Sequence, residues 1–386
     1  MAKHKFSKKQ QVTNLASSVY VSVEGEKIEI DPQQLYQRLL VAGIGSIDIE
    51  TLFQYELCSY PTSLFDEKLL MRRADKSDLQ NGLVKKVPAC VVKERPIGVA
   101  YTIDGGALLQ RLPWPRSVSY ADLCQLYIQF VNSHYNNAHI VFDGYGTGPS
   151  TKDETHQRRT GSEMGVDVDF TPDMLLKMKK KPFLANERNK QKFIDLLGAE
   201  MEKTGRIHVK HSPGDADYDI AVCACTVALT TPVVVVADDT DILMLLQHHF
   251  QPTVHENIYL QTSTKMIDIG ILQKSLEPSL SQSLLFIHAL SGCDTTSRPY
   301  GIGKLSAMGK SCDLHLAAKL FLSADKTHKK IEEAGNQAIA TIYACKYGPN
   351  LNFERASKFT EKVASSSTYL TPERLPPTSD AARFHS

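Results

Sequence analysis

The chain has 386 residues, and its 44 Lys and Arg against 43 Asp and Glu give a formal net charge of +1 at pH 7. This balance excludes nucleic-acid binding through overall charge, so any basic surface must be local. The eight cysteines include no CxxC pair, which argues against a zinc ribbon or a disulfide framework. The start, MAKHKFSKKQ, is not a secretory signal, and no apolar run reaches the roughly 20 residues of a membrane span. We expect a soluble, intracellular protein with no membrane partner.

Residues 1–96 mix short apolar and polar segments and contain no chemical motif. The segment IEIDPQQLYQRLL predicts a strand end followed by a helix that begins at Pro32. A second helix is predicted in TSLFDEKLLMRRADKSDLQNGL, with its end at Asn81-Gly82. We interpret residues 1–96 as an N-terminal extension whose role the sequence does not indicate.

A strand, a helix and a strand follow from residue 97. The apolar segment IGVAYTI runs into Asp104, SYADLCQLYIQFVNSHY has apolar residues at helical spacing, and AHIVFDG contains Asp143 at its end. This succession within about forty residues predicts a parallel βαβ unit.

The segment 150–206 is polar and basic, includes the run KMKKK, and is predicted to be helical in its second half. A third strand is predicted at RIHVKH, and a helix that opens with acids at DADYDIAVCACTVAL. The fourth strand, PVVVVA, does not alternate and is therefore predicted to be buried on both faces. The elements predict an α/β fold with a central, mostly parallel sheet, followed by a helix and a Pro/Ser tail over residues 312–386.

Acidic residues follow three of the predicted strands, in YTID, VFDG and VVADDTD. The carboxyl ends of parallel strands face one crevice, and the start of the helix before the fourth strand lies at the same end of the sheet. We therefore expect six carboxylates to converge: Asp104, Asp143, Asp215, Asp217, Asp239 and Asp241.

Taken singly, each of these acids is explained by a turn or a helix cap, and this explanation is favoured for Asp294 in LSGCDTTS. Together, the carboxylates would repel one another unless cations lay among them. Oxygen ligands suit Mg²⁺ or Mn²⁺, and two such ions about 3.5–4 Å apart support in-line attack on phosphate esters.

The order of strand–Asp, VFDG, basic insert, PGDAD, DDTD and GCD…GIGK resembles the flap endonuclease-like branch of the PIN-like 5′ nucleases. The resemblance covers about residues 97–310, and it implies a three-layer PIN-like nuclease domain at 97–311 with an arch-like helical insert at about 150–206. It also implies that two Mg²⁺ ions, or Mn²⁺, serve the cleavage of branched nucleic acid, DNA in particular. A nuclear location is expected because the run KMKKK can be interpreted as a nuclear signal.

The resemblance further assigns roles to individual residues. Lys152 and Arg159 match a basic pair on the arch that neutralises charge at the scissile phosphate, and both are expected to be catalytic. The glycine hairpin that holds the nucleic-acid backbone is matched by Gly301, Gly303 and Lys304. The expected metal ligands are Asp104, Asp143, Asp215, Asp217, Asp239, Asp241 and Asp294.

The chain departs from the family pattern in three ways. Asp215 and Asp217 stand where the family has a longer acid, Thr295 replaces a tyrosine, and residues 1–96 have no counterpart. These departures motivate a second hypothesis, a catalytically impaired nuclease fold that binds nucleic acid or protein. The chain also resembles a group of uncharacterised animal proteins, for which a mobile-element origin is one explanation and in which the tail continues further. The sequence does not tell whether this chain is a truncated copy.

A third hypothesis is a haloacid dehalogenase-like phosphatase, because IVFDGYGTG has a similar strand–Asp start. That chemistry needs a second Asp two residues on, where this chain has Tyr145, and it is disfavoured. The sequence does not choose between DNA and RNA.

Overall fold

A computed structural model describes residues 19–23, 25–43, 48–94, 96–144, 164–324 and 326–386. These residues form two units. The larger unit contains residues 73–296 and 303–318, and the smaller unit contains the described residues up to Arg72 together with Ser297–Ile302 and Lys319–Ser386.

The smaller unit begins with an antiparallel hairpin of β1 (Val19–Val23) and β2 (Glu26–Ile30), followed by α1 (Pro32–Ala42) and α2 (Ile49–Leu52). The predicted strand end and helix start are confirmed. The Asp31 carboxylate accepts hydrogen bonds from the first free N–H groups of α1, and Pro32 supplies a backbone angle suited to the first turn.

The larger unit is built on one sheet whose strands are β3 (Val91–Val92), β4 (Ala100–Asp104), β5 (Ala138–Phe142), β6 (Ile207–His211), β7 (Val233–Val236), β8 (Ile258–Gln261) and β9 (Met266–Asp268). Within the described part of the chain, their order is β3-β9-β8-β7-β4-β5-β6. The five strands from β8 to β6 are parallel, while β9 and β3 pair antiparallel at one edge.

The helices of this unit are α3 (Ser77–Lys86), α4 (Gly105–Arg111), α5 (Tyr120–His134), α6 (Lys180–Ala185), α7 (Glu187–Glu202), α8 (Ala216–Val227), α9 (Thr240–His249), α10 (Ile269–Ser275), α11 (Pro278–Leu290) and α12 (Lys304–Met308). The predicted mostly parallel α/β fold is confirmed. Apolar residues of α5 and α7 pack on one face of β4, whose Tyr101 and Ile103 join their core. Ala100 and Thr102 of the same strand face the other way and are also fully buried, so the sheet is covered on both faces.

The four predicted sheet strands are observed as β4, β5, β6 and β7, and the helix that opens with acids is α8. All four residues of β7 are buried, as the unbroken valine run predicts. One predicted helix has wrong bounds, because α3 begins at Ser77 and continues past Gly82 to Lys86. A Cβ at Gly82 would lie 2.3 Å from Leu305 Cδ2, so this glycine permits close packing of α12 instead of ending the helix.

The predicted division at residues 97 and 311 stays a prediction. In this structure residues 73–96 belong to the unit that contains the sheet. The reason is physical: β3 adds to the sheet edge through Val91 opposite Ile267, and Leu79 and Leu83 of α3 are fully buried.

The remaining helices are α13 (Ser311–Leu322), α14 (His328–Ile342), α15 (Leu351–Ser365) and α16 (Ser379–His385). The predicted tail is packed: Leu370 and Leu375 are buried in a cluster with Phe53 and Phe359. None of the helices in the described ranges is long and apolar enough to cross a membrane.

Candidate metal centre

Asp104 and Asp239 stand at the same edge of the sheet because they follow neighbouring parallel strands. Ile103 of β4 is in register with Val236 of β7, so both strands end at one level. Each acid also caps the helix that follows: Asp104 Oδ1 accepts a hydrogen bond from Ala107 N at 3.1 Å, and Asp239 Oδ1 accepts one from Asp241 N at 2.9 Å. Asp104 and Asp239 are thus helix caps, as the turn-and-cap explanation predicts, and they also stand at one edge of the sheet.

Asp143 follows β5, the strand on the other side of β4. Its Oδ1 accepts a hydrogen bond from Ala216 N at 3.0 Å, which ties the end of β5 to the start of α8. A Cβ added at Gly106 would lie 3.2 Å from Asp104 Oδ1 and 3.5 Å from Asp143 Oδ2. The two carboxylates therefore flank this glycine.

A second group of carboxylates lies at the starts of α8 and α9. One oxygen each of Asp217, Asp239 and Asp241 lies within 4.8 Å of the others, a spacing that a single cation could bridge. Among the residues that the structure describes, no other three His, Cys, Asp or Glu side chains bring ligand atoms this close together.

A lysine from the predicted N-terminal extension lies among these acids. Lys76 Nζ is 2.7 Å from Asp241 Oδ2, 2.9 Å from Asp294 Oδ2 and 3.5 Å from Asp239 Oδ1. The Lys76 side chain is only 17 % exposed. Lys76 thus supplies part of the positive charge that is needed to offset the repulsion among these carboxylates.

The pKa values reflect this arrangement. Burial raises the pKa of Asp104 to about 6, the Ala107 N–H opposes this, and repulsion from Asp143 and Asp239 adds to it. Burial would lower the pKa of Lys76, but Asp239 and Asp241 outweigh it and hold that pKa above its usual value. Burial would likewise raise the pKa of Asp241, but His288 and Lys76 outweigh it and hold that pKa well below its usual range.

His288 of α11 contacts Asp241, and Lys304 of α12 contacts His288 in turn. His288 Nε2 lies 2.7 Å from Asp241 Oδ1, and Lys304 Nζ lies 3.2 Å from His288 Nδ1. Lys304 is 2 % exposed, and its ammonium also donates to the backbone carbonyls of His288 and Gly292. The expected contact of Lys304 with a nucleic-acid backbone is therefore wrong for this structure, because the hairpin lysine is turned into the interior.

The other expected site residues are placed as follows. Asp215 is the N-cap of α8 and accepts a hydrogen bond from Asp217 N. Gly301 has a φ of +74°, which suits glycine, and Gly303 is the N-cap of α12. Lys152 and Arg159 lie outside the described residues, so their assignment stays a prediction.

Three basic residues at the site were not found from the sequence: Lys76, Lys190 and His288. Lys190 of α7 interacts electrostatically with Asp104 and Asp143. Burial lowers the pKa of Lys190, and the two carboxylates oppose that shift. A single lysine in a polar helix carries no local signal, and the contact depends on how distant segments pack.

The carboxylate donors fit a hard divalent cation such as Mg²⁺ or Mn²⁺. The three oxygens of Asp217, Asp239 and Asp241 are close enough to share an ion. Burial raises the pKa of Asp104 to about 6, and repulsion from Asp143 and Asp239 adds to this shift. A cation near Asp104 and Asp143 would relieve that repulsion.

Comparisons with known proteins give no matching family model and no matching curated protein. Solved structures similar to this chain include the T5 D15 protein co-crystallized with metal ions, at 12 % identity and a TM-score of 0.37 over 70 % of this chain and 99 % of that one. The catalytic core of Rad2 in complex with a DNA substrate is 14 % identical, with a TM-score of 0.36 over 78 % of this chain and 97 % of that one.

The eukaryotic junction-resolving enzyme GEN-1, binding potassium, is 15 % identical, with a TM-score of 0.35 over 81 % of this chain and 68 % of that one. The activity proposed below rests on the carboxylates, lysines and histidine of the chain itself.

Proposed function

We propose that this chain is a divalent-metal-dependent, structure-specific nuclease that hydrolyses phosphodiesters in branched nucleic acid, DNA in particular. The observation that carries this proposal is the convergence of carboxylates from the ends of β4, β5 and β7 and from the start of α8. Placing several carboxylates close together at one sheet edge costs free energy, because they repel one another, unless cations are bound among them. A phosphodiester is a substrate that such cations bind well.

The residues of the chain have separable roles in this proposal. One cation would be bound by Asp217, Asp239 and Asp241. Asp104 and Asp143 offer a second set of carboxylate oxygens beside Gly106. Divalent ions, when bound, supply Lewis-acid polarisation of the phosphodiester and lower the pKa of the attacking water.

Further roles follow from the charges around the carboxylates. Lys190 lies where its charge acts on Asp104 and Asp143, and it would also attract the anionic backbone. Lys152 and Arg159 are proposed to neutralise charge at the scissile phosphate. Gly301 and Gly303 are proposed to contact the backbone through their main-chain amides, and a nuclear location agrees with a DNA substrate.

The experiment compares Asp239→Asn with Asp238→Asn on a panel of flap, junction, linear and single-stranded substrates, with Mg²⁺ and with EDTA. Asparagine keeps the helix cap at position 239, so the fold is preserved while one ligand charge is lost. Asp238 is exposed, and its Oδ1 accepts a hydrogen bond from Ser263 N at 2.6 Å, which makes it a matched control outside the cluster.

The expected result is Mg²⁺-dependent cleavage of branched substrates by the wild-type chain and by Asp238→Asn. Cleavage by Asp239→Asn should fall by at least about 10²-fold, with substrate binding retained. Cleavage at the wild-type rate by Asp239→Asn would refute the assignment of this carboxylate.

A second candidate function is a nuclease fold that binds nucleic acid or protein without turnover. The observation that favours it is the ammonium of Lys76 among Asp239, Asp241 and Asp294. Duplex binding that is independent of metal, with no cleavage in Mg²⁺ or Mn²⁺, would establish this function in place of the first.

A further inference from the structure

Lys76 is held by three carboxylates at once. An ammonium group has three N–H donors, and the distances of 2.7, 2.9 and 3.5 Å to Asp241, Asp294 and Asp239 direct it toward all three. An ammonium in a mostly buried position loses water, and three anionic partners compensate for that loss. This geometry is that of a cation bound in a cage of oxygens, as a metal ion would be.

The position of Lys76 is fixed by its surroundings. It is the N-cap residue of α3, immediately before a helix anchored by the fully buried Leu79 and Leu83. The preceding Asp75 accepts hydrogen bonds from the backbone and hydroxyl of Ser77, which fixes the turn into the helix. The backbone of Lys76 is therefore held in place by the packing of α3, which positions its ammonium beside the acids.

The neighbouring acids are engaged to different degrees. Asp241 has one oxygen toward Lys76 and the other toward His288. Among the ion pairs of the described residues, none joins Lys76 to Asp104 or Asp143. Lys76 thus provides positive charge at one side of the carboxylate group, while the charge of Lys190 acts on Asp104 and Asp143 at the other side.

We propose that Lys76 is a built-in cation that takes the place of one of the two divalent ions, so that this centre binds one ion with Lys76 present and two when it is absent. This inference rests on the proposed function, since it concerns the same carboxylates. An ammonium supplies charge but has no vacant orbital with which to polarise a phosphoryl oxygen or activate water. Lys76 would then neutralise and orient Asp239, Asp241 and Asp294, and the ion would be held with the help of Asp104 and Asp143.

The test measures the stoichiometry of Mn²⁺ binding to the full chain, stripped of metal, by calorimetric titration and by the EPR signal of free Mn²⁺. The variants are Lys76→Met, which keeps the length and apolar stem of the side chain, and Lys85→Met as the matched control. Lys85 is an exposed lysine of α3. We expect about one ion per chain for the wild type and for Lys85→Met, and about two for Lys76→Met.

Two ions in the wild type and in Lys76→Met alike would overturn the inference and leave the proposed function standing. One ion in each would also overturn it. No Mn²⁺ binding in any variant would overturn the proposed function and the inference together. Nuclease assays on the same preparations distinguish failure of the inference from failure of the proposed function. Metal-dependent cleavage by a wild-type chain that binds two ions would contradict the inference alone.

A second measurement uses only the wild-type chain and does not depend on the folding of a variant. Amine labelling with acetic anhydride, read by peptide mass spectrometry, should modify Lys76 several-fold more slowly than Lys85, both without Mn²⁺ and at saturating Mn²⁺. If saturating Mn²⁺ raises the labelling of Lys76 to that of Lys85, an ion has displaced the ammonium and the inference is wrong.

Discussion

His288 Nε2 lies 2.7 Å from Asp241 Oδ1, and the contact at the other ring nitrogen determines which of the two carries hydrogen. Lys304, 3.2 Å from His288 Nδ1, is a donor only, so Nδ1 must accept and Nε2 must donate to Asp241. The ring is thus neutral. This agrees with the pKa of His288, which burial lowers and which the contact with Asp241 does not bring back to its usual value. A buried lysine therefore orients a metal-ligand candidate through a histidine.

Replacing Lys304 by methionine should lower the free energy of unfolding by about 1–3 kcal/mol. The carbonyls of His288 and Gly292 would lose their buried donor, and His288 would lose the partner that fixes its tautomer. Urea denaturation monitored by circular dichroism measures this, with the exposed Lys85→Met as the control. A variant as stable as the wild type would show that the buried ammonium is not needed for these contacts.

Asparagine at position 104 should stabilise the metal-free protein at neutral pH by about 1–2 kcal/mol. The pKa of Asp104 is raised to about 6 in the folded chain, so ionising it there is unfavourable relative to the unfolded chain. The cost is absent below about pH 4, grows as the pH rises toward 6 and is fully present above it. Asparagine retains an oxygen for the Ala107 N–H and so preserves the helix cap.

Urea denaturation in EDTA at pH 4 and at pH 7.5 measures this difference. The advantage of Asp104→Asn should be present at pH 7.5 and lost at pH 4, while its affinity for Mn²⁺ should fall. Equal stability of the two chains at pH 7.5 would contradict the raised pKa.

Alanine at position 106 should weaken Mn²⁺ binding several-fold while leaving the stability of the metal-free chain unchanged or slightly higher. The added Cβ would lie 3.2 Å from Asp104 Oδ1 and 3.5 Å from Asp143 Oδ2, so it would crowd the space between two expected ligands. Alanine also favours the helical backbone of α4 over glycine by about 0.5–1 kcal/mol. Calorimetric titration and thermal melting of the same sample measure both effects, and unchanged affinity would place the ion elsewhere.

Alanine at position 144 should destabilise the chain severely, by more than about 2 kcal/mol, unlike alanine at position 106. Here the Cβ would lie 2.0 Å from the carbonyl oxygen of Ser212, and backbone has no rotamer with which to yield. The residue also donates its N–H to the Gly214 carbonyl at 2.9 Å, so the segment after β5 is fixed on both sides. Thermal melting compares the two variants, and similar melting temperatures would contradict the close approach.

The sequence by itself determined the elements that build the centre and the edge at which the acids stand. Mostly apolar runs mark β4, β5 and β7, and the run is unbroken in β7. An acid ends or follows each run, because the carboxyl end of a buried strand is where the chain returns to polar surroundings. The parallel pairing of Ile103 with Val236 and Ile140 then places Asp104 between its two neighbours. The strands and the shared edge follow from local pattern and one topological rule, whereas the order of the strands is known only from the structure.

Only the tertiary structure decided which positive charges meet these acids. Lys76 and Asp239 are 163 positions apart, and they meet because α3, whose Leu79 and Leu83 are buried, packs against α9 and α12. The burial of Lys304 and its link to Asp241 through His288 likewise depend on how α12 packs against α11. A single lysine or histidine has the same local sequence whether it faces solvent or a carboxylate, so long-range packing alone distinguishes the two.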